Sequence, residues 1–242
     1  MHTVLDRCHR TLFAVLSLFG VRGQERLLHR YFDWWHRRPD PWRLAVDDYE
    51  QFKYATTLGQ LPERPYRRIL DVGCSEGTFT HRLAAAYPQA DITGADISER
   101  ALARARAAGP VPRFVRLNIV TTPPAGRFDL VFCAELLYYL GRARQLRRAC
   151  AHLTAAVAPG GLLVLVHPWP EARRFCAYLE AEAGLRRVAE HVEADSCRPF
   201  AVSVYEAAGA WEAAGVGEAA GAPDPAVPRR PAEHGRRTGR GA

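Results

Sequence analysis

The sequence predicts an α/β fold in which a seven-stranded, mostly parallel sheet is doubly wound, with helices on both faces. Three observations predict this class. The chain has 242 residues and a hydrophobic fraction of 48%, enough for one complete domain with a buried core. From residue 68 onward, short apolar runs alternate with amphipathic segments, as in parallel sheets with crossover helices. The last two apolar runs, 185–192 and 200–205, are joined by a short turn, which predicts an antiparallel hairpin at one edge.

The individual elements follow from hydrophobic periodicity and from residues that start or stop helices. Apolar runs of strand length lie at 68–72, 91–95, 113–117, 129–133, 162–167, 185–192 and 200–205. Apolar residues at helical spacing lie at 47–58, 78–86, 98–108, 142–157 and 171–182. Ser98 suits the N-cap of one of these helices and Gly109 suits its end.

The chain divides into three parts. Residues 1–44 are predicted to form a helical N-terminal extension, which Pro39 and Pro41 terminate. Residues 45–206 hold the α/β domain. Residues 207–242 are rich in Ala, Gly, Pro and Arg and cannot bury enough apolar surface to offset their ordering entropy, so we predict a disordered tail.

Composition also bears on compartment and partners. The apolar run 11–20 has about ten residues where a membrane span needs roughly 20. It is compatible with a signal-peptide core, but no small-residue cleavage site follows, so we favour a packed or surface helix and no membrane span. The net charge of +7 is scattered along the chain, which disfavours a nucleic-acid partner. Lys53 is the only lysine, which we attribute to coding bias. Six widely spaced cysteines without a CxxC pair predict reduced thiols in a cytoplasmic protein and no metal site.

The loop at residues 73–77, GCSEG, admits two interpretations. It matches G-x-S-x-G, the nucleophile elbow of serine hydrolases, and a triad of Ser75, Asp129 and His167 would complete that site. Against this, the motif follows the first strand of the domain, and no oxyanion-hole segment of the His-Gly-Gly type precedes it. We therefore treat the match as coincidence.

The second interpretation, a cofactor-binding loop, accounts for more residues. Asp71 closes the first strand, Gly73 allows a tight turn, and Gly77 lets the next helix begin close to the sheet with its free N–H groups towards a ligand. Asp96 ends the second strand, where a carboxylate suits the two hydroxyls of a ribose. Such a carboxylate would also suit NAD, but the loop lacks the G-x-G-x-x-G spacing.

Four blocks in order extend this pattern: RILDVGCSEGTFTHRLA, TGADIS, FDLVFCAELLYYL and PGGLLVLV. Together they resemble the class I S-adenosylmethionine-dependent methyltransferase family, which has a Rossmann-like fold, over about residues 45–206. With DDYEQFKYATTL, they are most similar to the nodulation protein S group. That group N-methylates the amino sugar end of chito-oligosaccharides.

The resemblance implies that S-adenosyl-L-methionine is the cofactor and that seven residues contact it. These are Asp71, Gly73, Ser75 and Gly77 at the methionine part, Asp96 at the ribose, and Ile97 and Asn118 at the adenine. Two of them depart from the commonest pattern, since Ser75 stands where glycine is usual and Asn118 where Asp is usual. An amide oxygen still accepts from an adenine N–H, and serine is small, so we expect at most modestly weaker binding.

Catalytic candidates follow the fourth and fifth strands, where ligands of open α/β sheets bind. Glu135 suits an acceptor of a proton or a group that orients an amine, although a carboxylate at a helix N-terminus is an equally good explanation. Either Tyr138 or Tyr139 is expected to face the methyl group or substrate, and we select Tyr139. His167 is a candidate base, with a structural histidine as the alternative.

Two upstream groups are less decisive. Glu50, Lys53 and Tyr54 share one face of a predicted helix that covers the cofactor pocket in the resemblance. Tyr54 then either contacts the sulfonium by a cation–π interaction or simply packs. The tryptophans 34, 35 and 42 suit a sugar-stacking platform, although packing of the extension on the domain explains them equally.

We therefore predict a methyltransferase for a small-molecule acceptor, an amine such as an amino sugar or the end of a chito-oligosaccharide. Three alternatives stay open at this point: an O-methyltransferase of a natural product, an RNA methyltransferase, and a non-catalytic binding protein that keeps the fold. The last is disfavoured because Asp71, Gly73, Gly77 and Asp96 are all present.

Overall fold

A computed structural model describes residues 21–209 of the chain. The apolar run 11–20 therefore lies outside the described residues, as does the predicted disordered tail beyond residue 209. The last strand continues to Ala207, one residue into the segment predicted to be disordered. Among residues 21–209, no helix is both long and apolar enough to cross a membrane.

The described part contains six α-helices and seven strands. The helices are α1 (Val21–Trp35), α2 (Asp48–Gly59), α3 (Thr78–Ala86), α4 (Glu99–Ala107), α5 (Ala143–Ala156) and α6 (Ala172–Glu180). The strands are β1 (Arg68–Val72), β2 (Asp91–Asp96), β3 (Arg113–Arg116), β4 (Phe128–Ala134), β5 (Val157–Pro168), β6 (Leu185–Glu193) and β7 (Phe200–Ala207). A short 3-10 helix, Leu137–Tyr139, follows β4.

All seven strands form one sheet in the order β3-β2-β1-β4-β5-β7-β6. Strands β1 to β5 pair in parallel, whereas β7 runs antiparallel to both β5 and β6. The seven-stranded, Rossmann-like doubly wound fold with an antiparallel edge hairpin is therefore confirmed. Because β1 to β5 are parallel, the loops after β1, β2 and β4 meet at one edge of the sheet, called here the carboxyl edge.

Helices cover both faces of the sheet, and consecutive residues of β1 show why. Ile69 belongs to a buried cluster that includes Phe79 of α3, whereas Leu70 belongs to a second cluster that includes Leu146 of α5. This alternation is the period-two pattern of a strand, and burial on both faces explains why the parallel strands are continuously apolar.

Two local details differ from the sequence-based assignment. The helix predicted through Val157 ends at Ala156, because Val157 pairs with Phe128 and begins β5 well before the predicted start at residue 162. The 3-10 helix Leu137–Tyr139 had no predicted counterpart. The first difference arises because an apolar residue at a helix end has the same pattern as one at a strand start.

Candidate active site

The loop between β1 and α3 adopts a backbone that requires small residues. Gly73 and Gly77 have φ values of +84° and +81°, and Ser75 has φ +53°, so three positions lie in the left-handed region. A Cβ at Gly77 would lie 2.8 Å from Cζ of Phe114, and one at Gly73 would lie 2.8 Å from Cδ1 of Leu136. The loop therefore fits tightly against both β3 and the segment after β4.

The left-handed φ of Ser75 also explains why this position commonly holds glycine in the family that the sequence resembles. Serine occupies the position here with a buried side chain, whose Oγ lies 3.5 Å from Nε2 of His36. Its backbone N–H donates to Oδ2 of Asp96 at 2.9 Å.

Asp96 joins the loops after β1 and β2. One carboxylate oxygen accepts from the N–H of Ser75 and the other accepts from the N–H of Ser98 at 2.8 Å. Burial raises the pKa of Asp96, although these backbone donors favour its charged form. Each oxygen keeps a second lone pair, so the carboxylate can still accept from two hydroxyls of a ligand.

Asp71 lies deeper than Asp96. Its side chain is buried, and Oδ2 accepts from Oγ1 of Thr80 on α3 at 2.7 Å. Burial raises the pKa of Asp71 to about 6. The carboxylate thus lies beneath the glycine loop and links it to α3.

The two residues expected at the adenine lie together. Ile97 and Asn118 line one cavity of ≈ 160 Å³, whose other lining residues are Glu25, Arg116, Leu117 and Thr122. Oδ1 of Asn118 accepts from the N–H of Val120 at 3.0 Å, which fixes the orientation of the amide. Glu25 belongs to α1, so the N-terminal extension forms one wall of this cavity.

The extension also closes over the glycine loop through Glu76, a residue that sequence analysis did not single out. Oε1 of Glu76 lies 2.9 Å from Nδ1 of His36 and accepts from Nη1 of Arg104 at 2.8 Å. Oε2 accepts from the N–H of Asp40 at 3.0 Å. No local pattern marks these partners, because they lie 28 to 40 residues from Glu76 in the chain.

The hydrolase interpretation is inconsistent with the fold. Ser75 and His167 lie at the carboxyl edge, whereas Asp129 lies near the start of β4, at the opposite edge. There Oδ2 of Asp129 accepts from the N–H groups of Arg67 and Arg68. The three side chains therefore do not form a triad.

Glu135 lies directly after β4 at the carboxyl edge. Its backbone has φ +52°, and its N–H donates to the carbonyl of Val166 on β5. Oε1 accepts from Nζ of Lys53 at 2.9 Å, and 29% of the side chain is exposed. Burial would raise the pKa of Glu135, but the Lys53 ammonium outweighs it and lowers that pKa.

Helix α2 brings a charged face to the same place. Glu50, Lys53 and Tyr54 are all buried, as the predicted shared helix face requires. Nζ of Lys53 lies 2.9 Å from Oε2 of Glu50 as well as from Glu135. Arg198, in the turn between β6 and β7, adds a second cation 3.5 Å from Oε1 of Glu50.

Comparison with known proteins identifies the family. A model described as a methyltransferase domain matches residues 69–161. Nodulation protein S of Rhizobium tropici is 33% identical over 171 residues, which are 66% of this chain and 69% of that protein. The chain belongs to the class I S-adenosylmethionine-dependent methyltransferases. It is therefore an enzyme with S-adenosylmethionine as cofactor, and the alternative of a non-catalytic binding protein is set aside.

Two further relatives show how the family varies. The crystal structure of the N-methyltransferase NodS from Bradyrhizobium japonicum WM9 with S-adenosyl-L-homocysteine superposes with a TM-score of 0.64 at 25% identity. The match covers 74% of this chain and 97% of that one. Trans-aconitate 2-methyltransferase of Deinococcus radiodurans is 37% identical over 130 residues, 50% of this chain and 48% of that protein. The family match alone thus leaves the methyl acceptor of this methyltransferase open.

His167 has an environment unlike that of a base open to substrate. It is fully buried, and its Nε2 accepts from the N–H of Leu137 at 3.0 Å. The proton of the neutral ring therefore lies on Nδ1. Burial lowers the pKa of His167 to about 4. In this methyltransferase the imidazole supports the 3-10 helix after β4. Its basic lone pair, on Nε2, accepts the Leu137 N–H and is therefore not available to a substrate proton.

The two tyrosines after β4 lie side by side, with ring centroids 4.4 Å apart, but each has its own further partners. The ring of Tyr138 faces His167, with centroids 6.0 Å apart, and its hydroxyl interacts with Glu135. The ring of Tyr139 contacts Phe32 of α1 edge-on at 5.1 Å. Tyr139 therefore joins the extension to the carboxyl edge, while Tyr138 is the hydroxyl nearer the charged face of α2.

The other aromatic candidates mainly pack. Tyr54 stacks on Phe79 of α3 with ring centroids 4.9 Å apart, so one ring face is already covered. Trp35 stacks on Trp42 at 6.1 Å, whereas Trp34 is 53% exposed. These contacts favour packing of the extension over a continuous sugar platform. Within residues 21–209, no three His, Cys, Asp or Glu side chains form a group that suits a metal ion.

Proposed function

We propose that this methyltransferase N-methylates a small-molecule amine, with the amino sugar end of an oligosaccharide as the best candidate acceptor. The observation that carries the proposal is the charge at the carboxyl edge beside Glu135. Five side chains of alternating charge connect there through contacts of 2.7 to 3.5 Å: Asp47, Glu50, Lys53, Glu135 and Arg198.

This group carries three carboxylates and two cations, so it has one negative charge in excess. Both cations are already paired, Lys53 with Glu50 and Glu135, and Arg198 with Asp47. A protonated amine would supply the missing positive charge next to the partly exposed Glu135. A carboxylate acceptor would instead add a second negative charge beside Glu135, which is unfavourable.

The residues proposed to bind the cofactor lie next to this group, since Gly73 approaches Leu136, the residue after Glu135. In the proposal, Asp71, Gly73, Ser75 and Gly77 hold the methionine part, Asp96 the ribose, and Ile97 and Asn118 the adenine. When bound, S-adenosylmethionine supplies an electrophilic methyl group on a sulfonium. The chain contributes alignment, exclusion of water and charge.

We assign to Glu135 the orientation of the amine. The acceptor binds as an ammonium and must lose one proton to water before it can react. A carboxylate with a lowered pKa is a weak base, so the better role of Glu135 is to accept a hydrogen bond from a remaining N–H of the neutral amine and direct its lone pair. Positive charge develops on the nitrogen as the new bond forms, and a fixed carboxylate stabilises that charge more than it stabilises the neutral amine. Tyr139 and the extension close the site, and His167 holds the loop that carries both residues.

The test is to incubate the protein with methyl-labelled S-adenosylmethionine and a panel of acceptors, then to locate the label by mass spectrometry. The panel holds deacetylated chito-oligosaccharides, amino sugars, small amines, hydroxylated natural products, trans-aconitate and RNA. Label on an amine nitrogen supports the proposal. Label only on a hydroxyl, a carboxylate or RNA would contradict it while leaving the family assignment intact.

A further inference from the structure

Lys53 is exceptional in both sequence and structure. The chain contains 33 basic side chains other than histidine, and Lys53 is the only lysine among them, so all the others are arginine. Its side chain is also only 4% exposed, on the inner face of α2. A coding preference for arginine explains the other positions but does not explain why this one is a lysine.

The contacts of Lys53 explain why an ammonium suits the position. Nζ lies 2.9 Å from Glu50 on its own helix and 2.9 Å from Glu135 beyond β4. A further face of the ammonium lies 5.2 Å from the ring centroid of Tyr49. A compact charge with three tetrahedral donors can serve two carboxylates and a ring at once, whereas a planar guanidinium presents its donors in one plane.

Helix α2 is itself fixed from the turn between β6 and β7. Nη2 of Arg198 lies 2.7 Å from Oδ2 of Asp47, the N-cap of α2. The same guanidinium lies 3.7 Å from the ring centroid of Tyr49, whose hydroxyl donates to the Arg198 carbonyl at 2.6 Å. The helix start is therefore held at three points, which directs Lys53 towards Glu135.

We infer that Lys53 is a positioning residue: its ammonium pairs with one oxygen of Glu135 and holds the carboxylate charged, so that the exposed part of Glu135, beside the Tyr138 hydroxyl, is turned to the acceptor. This inference rests on the proposed function, since it concerns how Glu135 meets an amine. The charged and titratable groups around Glu135 are Lys53 and Tyr49 from α2, Tyr138 and Tyr139 from the segment after β4, and His167 from β5. Lys53 is the one cation among them when His167 is neutral.

A single lysine permits a direct test that does not depend on activity. Protein labelled with ¹³C at the lysine Cε gives one side-chain resonance, which needs no assignment. In the wild type we expect this resonance to stay in its ammonium position up to high pH, because two carboxylates raise the pKa of Lys53. In Glu135→Gln we expect its transition at lower pH by about one pH unit or more. Identical titrations in the two proteins would overturn the inference.

The second test measures what Lys53 does to Glu135. A deacetylated chito-oligosaccharide is titrated into protein loaded with S-adenosylhomocysteine between pH 4.5 and 7, and each affinity is corrected for the protonated fraction of its amines, which is measured on the free oligosaccharide. Wild-type affinity should hold down to low pH, because Lys53 keeps Glu135 ionised. In Lys53→Met the loss of affinity should begin about one pH unit higher, because Glu135 without its cation takes up a proton at higher pH. Lys53→Arg should restore the pH range in part.

The matched control is Arg187→Met. Arg187 also lies between two carboxylates, Glu180 and Glu190, but on the exposed edge strand β6. It should leave acceptor binding and its pH range as in the wild type. If Lys53→Met binds S-adenosylhomocysteine normally yet keeps the wild-type pH range for the acceptor, Lys53 has only a structural role and the inference is wrong. Failure of every amine to be labelled would instead remove the proposed function, whatever the lysine resonance shows.

Discussion

The two halves of the carboxyl edge are built in different ways. The half formed by β1 and β2 is shaped mainly by the backbone. Its glycines have positive φ values, and the N–H groups of Ser75 and Ser98 donate to the carboxylate of Asp96. The half formed by α2, β4 and the β6–β7 turn is instead held together by ion pairs between charged side chains. There the paired residues lie far apart in the chain, 82 positions for Lys53 and Glu135 and 151 for Asp47 and Arg198.

If the first half holds the cofactor and the second the acceptor, as proposed, the acceptor can change while the cofactor stays the same. A loop that depends on glycines at positive φ loses its conformation when a side chain replaces one of them, but it tolerates changes of charge nearby. A site formed by charged side chains keeps its backbone conformation when one of them is replaced. Its preference for a cationic or an anionic ligand changes.

The largest effect is expected at Asp96, which belongs to the cofactor half. Asp96→Ala removes the acceptor of two loop N–H groups and the expected partner of the ribose hydroxyls. Hydrogen bonds to a charged group contribute about 1.5–3 kcal/mol each, so affinity for S-adenosylhomocysteine should fall by at least ~100-fold. Isothermal titration measures it. Asp91→Ala, an exposed aspartate at the start of the same strand, should bind normally; equal affinities in both variants would contradict the assignment.

The acceptor half is tested next by Glu135→Gln. The amide keeps the shape and loses the charge, so kcat for an amine should fall about 100-fold while affinity for S-adenosylhomocysteine changes less than about twofold. Steady-state kinetics and isothermal titration separate the two effects. A variant with wild-type kcat would exclude a role of Glu135 in the reaction.

A third prediction concerns stability, through His167. Its pKa is lowered to about 4 in the folded protein, below the ordinary value near 6.5. The unfolded chain therefore binds the extra proton first, and the free energy of unfolding should fall by ~2 kcal/mol between pH 7 and pH 5 from this residue alone. His167→Gln, which can still accept from Leu137, should lose this component.

Urea denaturation at both pH values measures that difference. Asp71 acts in the opposite direction, because its raised pKa of about 6 makes the folded state bind the proton first. Its contribution is the same in wild type and variant, so it cancels in the comparison. An equal pH dependence of unfolding in the two proteins would mean that His167 is charged or exposed in solution.

The smallest effect is expected for Gly77→Ala. Its φ of +81° costs an L-residue about 1–2 kcal/mol, and the new Cβ would also contact Phe114. Affinity for S-adenosylhomocysteine should fall about tenfold as the loop shifts. Gly184→Ala separates the two causes, because Gly184 has φ +90° with nothing within 4 Å. Gly184→Ala should lose stability through backbone strain alone and keep its affinity. Lost affinity there would mean that a general loss of stability, and not a shift of the loop, explains the result at Gly77.

Much of the fold could be predicted from sequence because it depends on local pattern. The strands β1, β2, β6 and β7 begin where predicted, and the seven-stranded sheet with its edge hairpin is confirmed. The boundary at Val157 could not be predicted, since its strand partner Phe128 lies in another element. The conformation of the loop after β1 was equally predictable, because Gly73, Ser75 and Gly77 take positive φ values within one short loop. That these residues hold the cofactor stays a prediction.

The half formed by α2, β4 and the β6–β7 turn, where we propose that the acceptor binds, could be predicted only in part from the sequence. Glu135 and the shared face of Glu50, Lys53 and Tyr54 were predicted from spacing, but the pairing of Lys53 with Glu135 was not. The single lysine was a usable signal that was attributed to coding bias instead. Glu76 and Arg198 gave no signal at all, because both act through partners on distant segments.

By itself, the sequence determined the order of strands and helices, the left-handed loop and the carboxylate at the end of β2. Those features depend on residues within one or two adjacent elements, where periodicity and glycine positions are sufficient. Only the tertiary structure decided which charges meet at the acceptor edge and that the extension closes over Glu76. The physical reason is that an ion pair depends on distance in space, and chain separations of 28 to 151 residues leave no pattern that would match the partners.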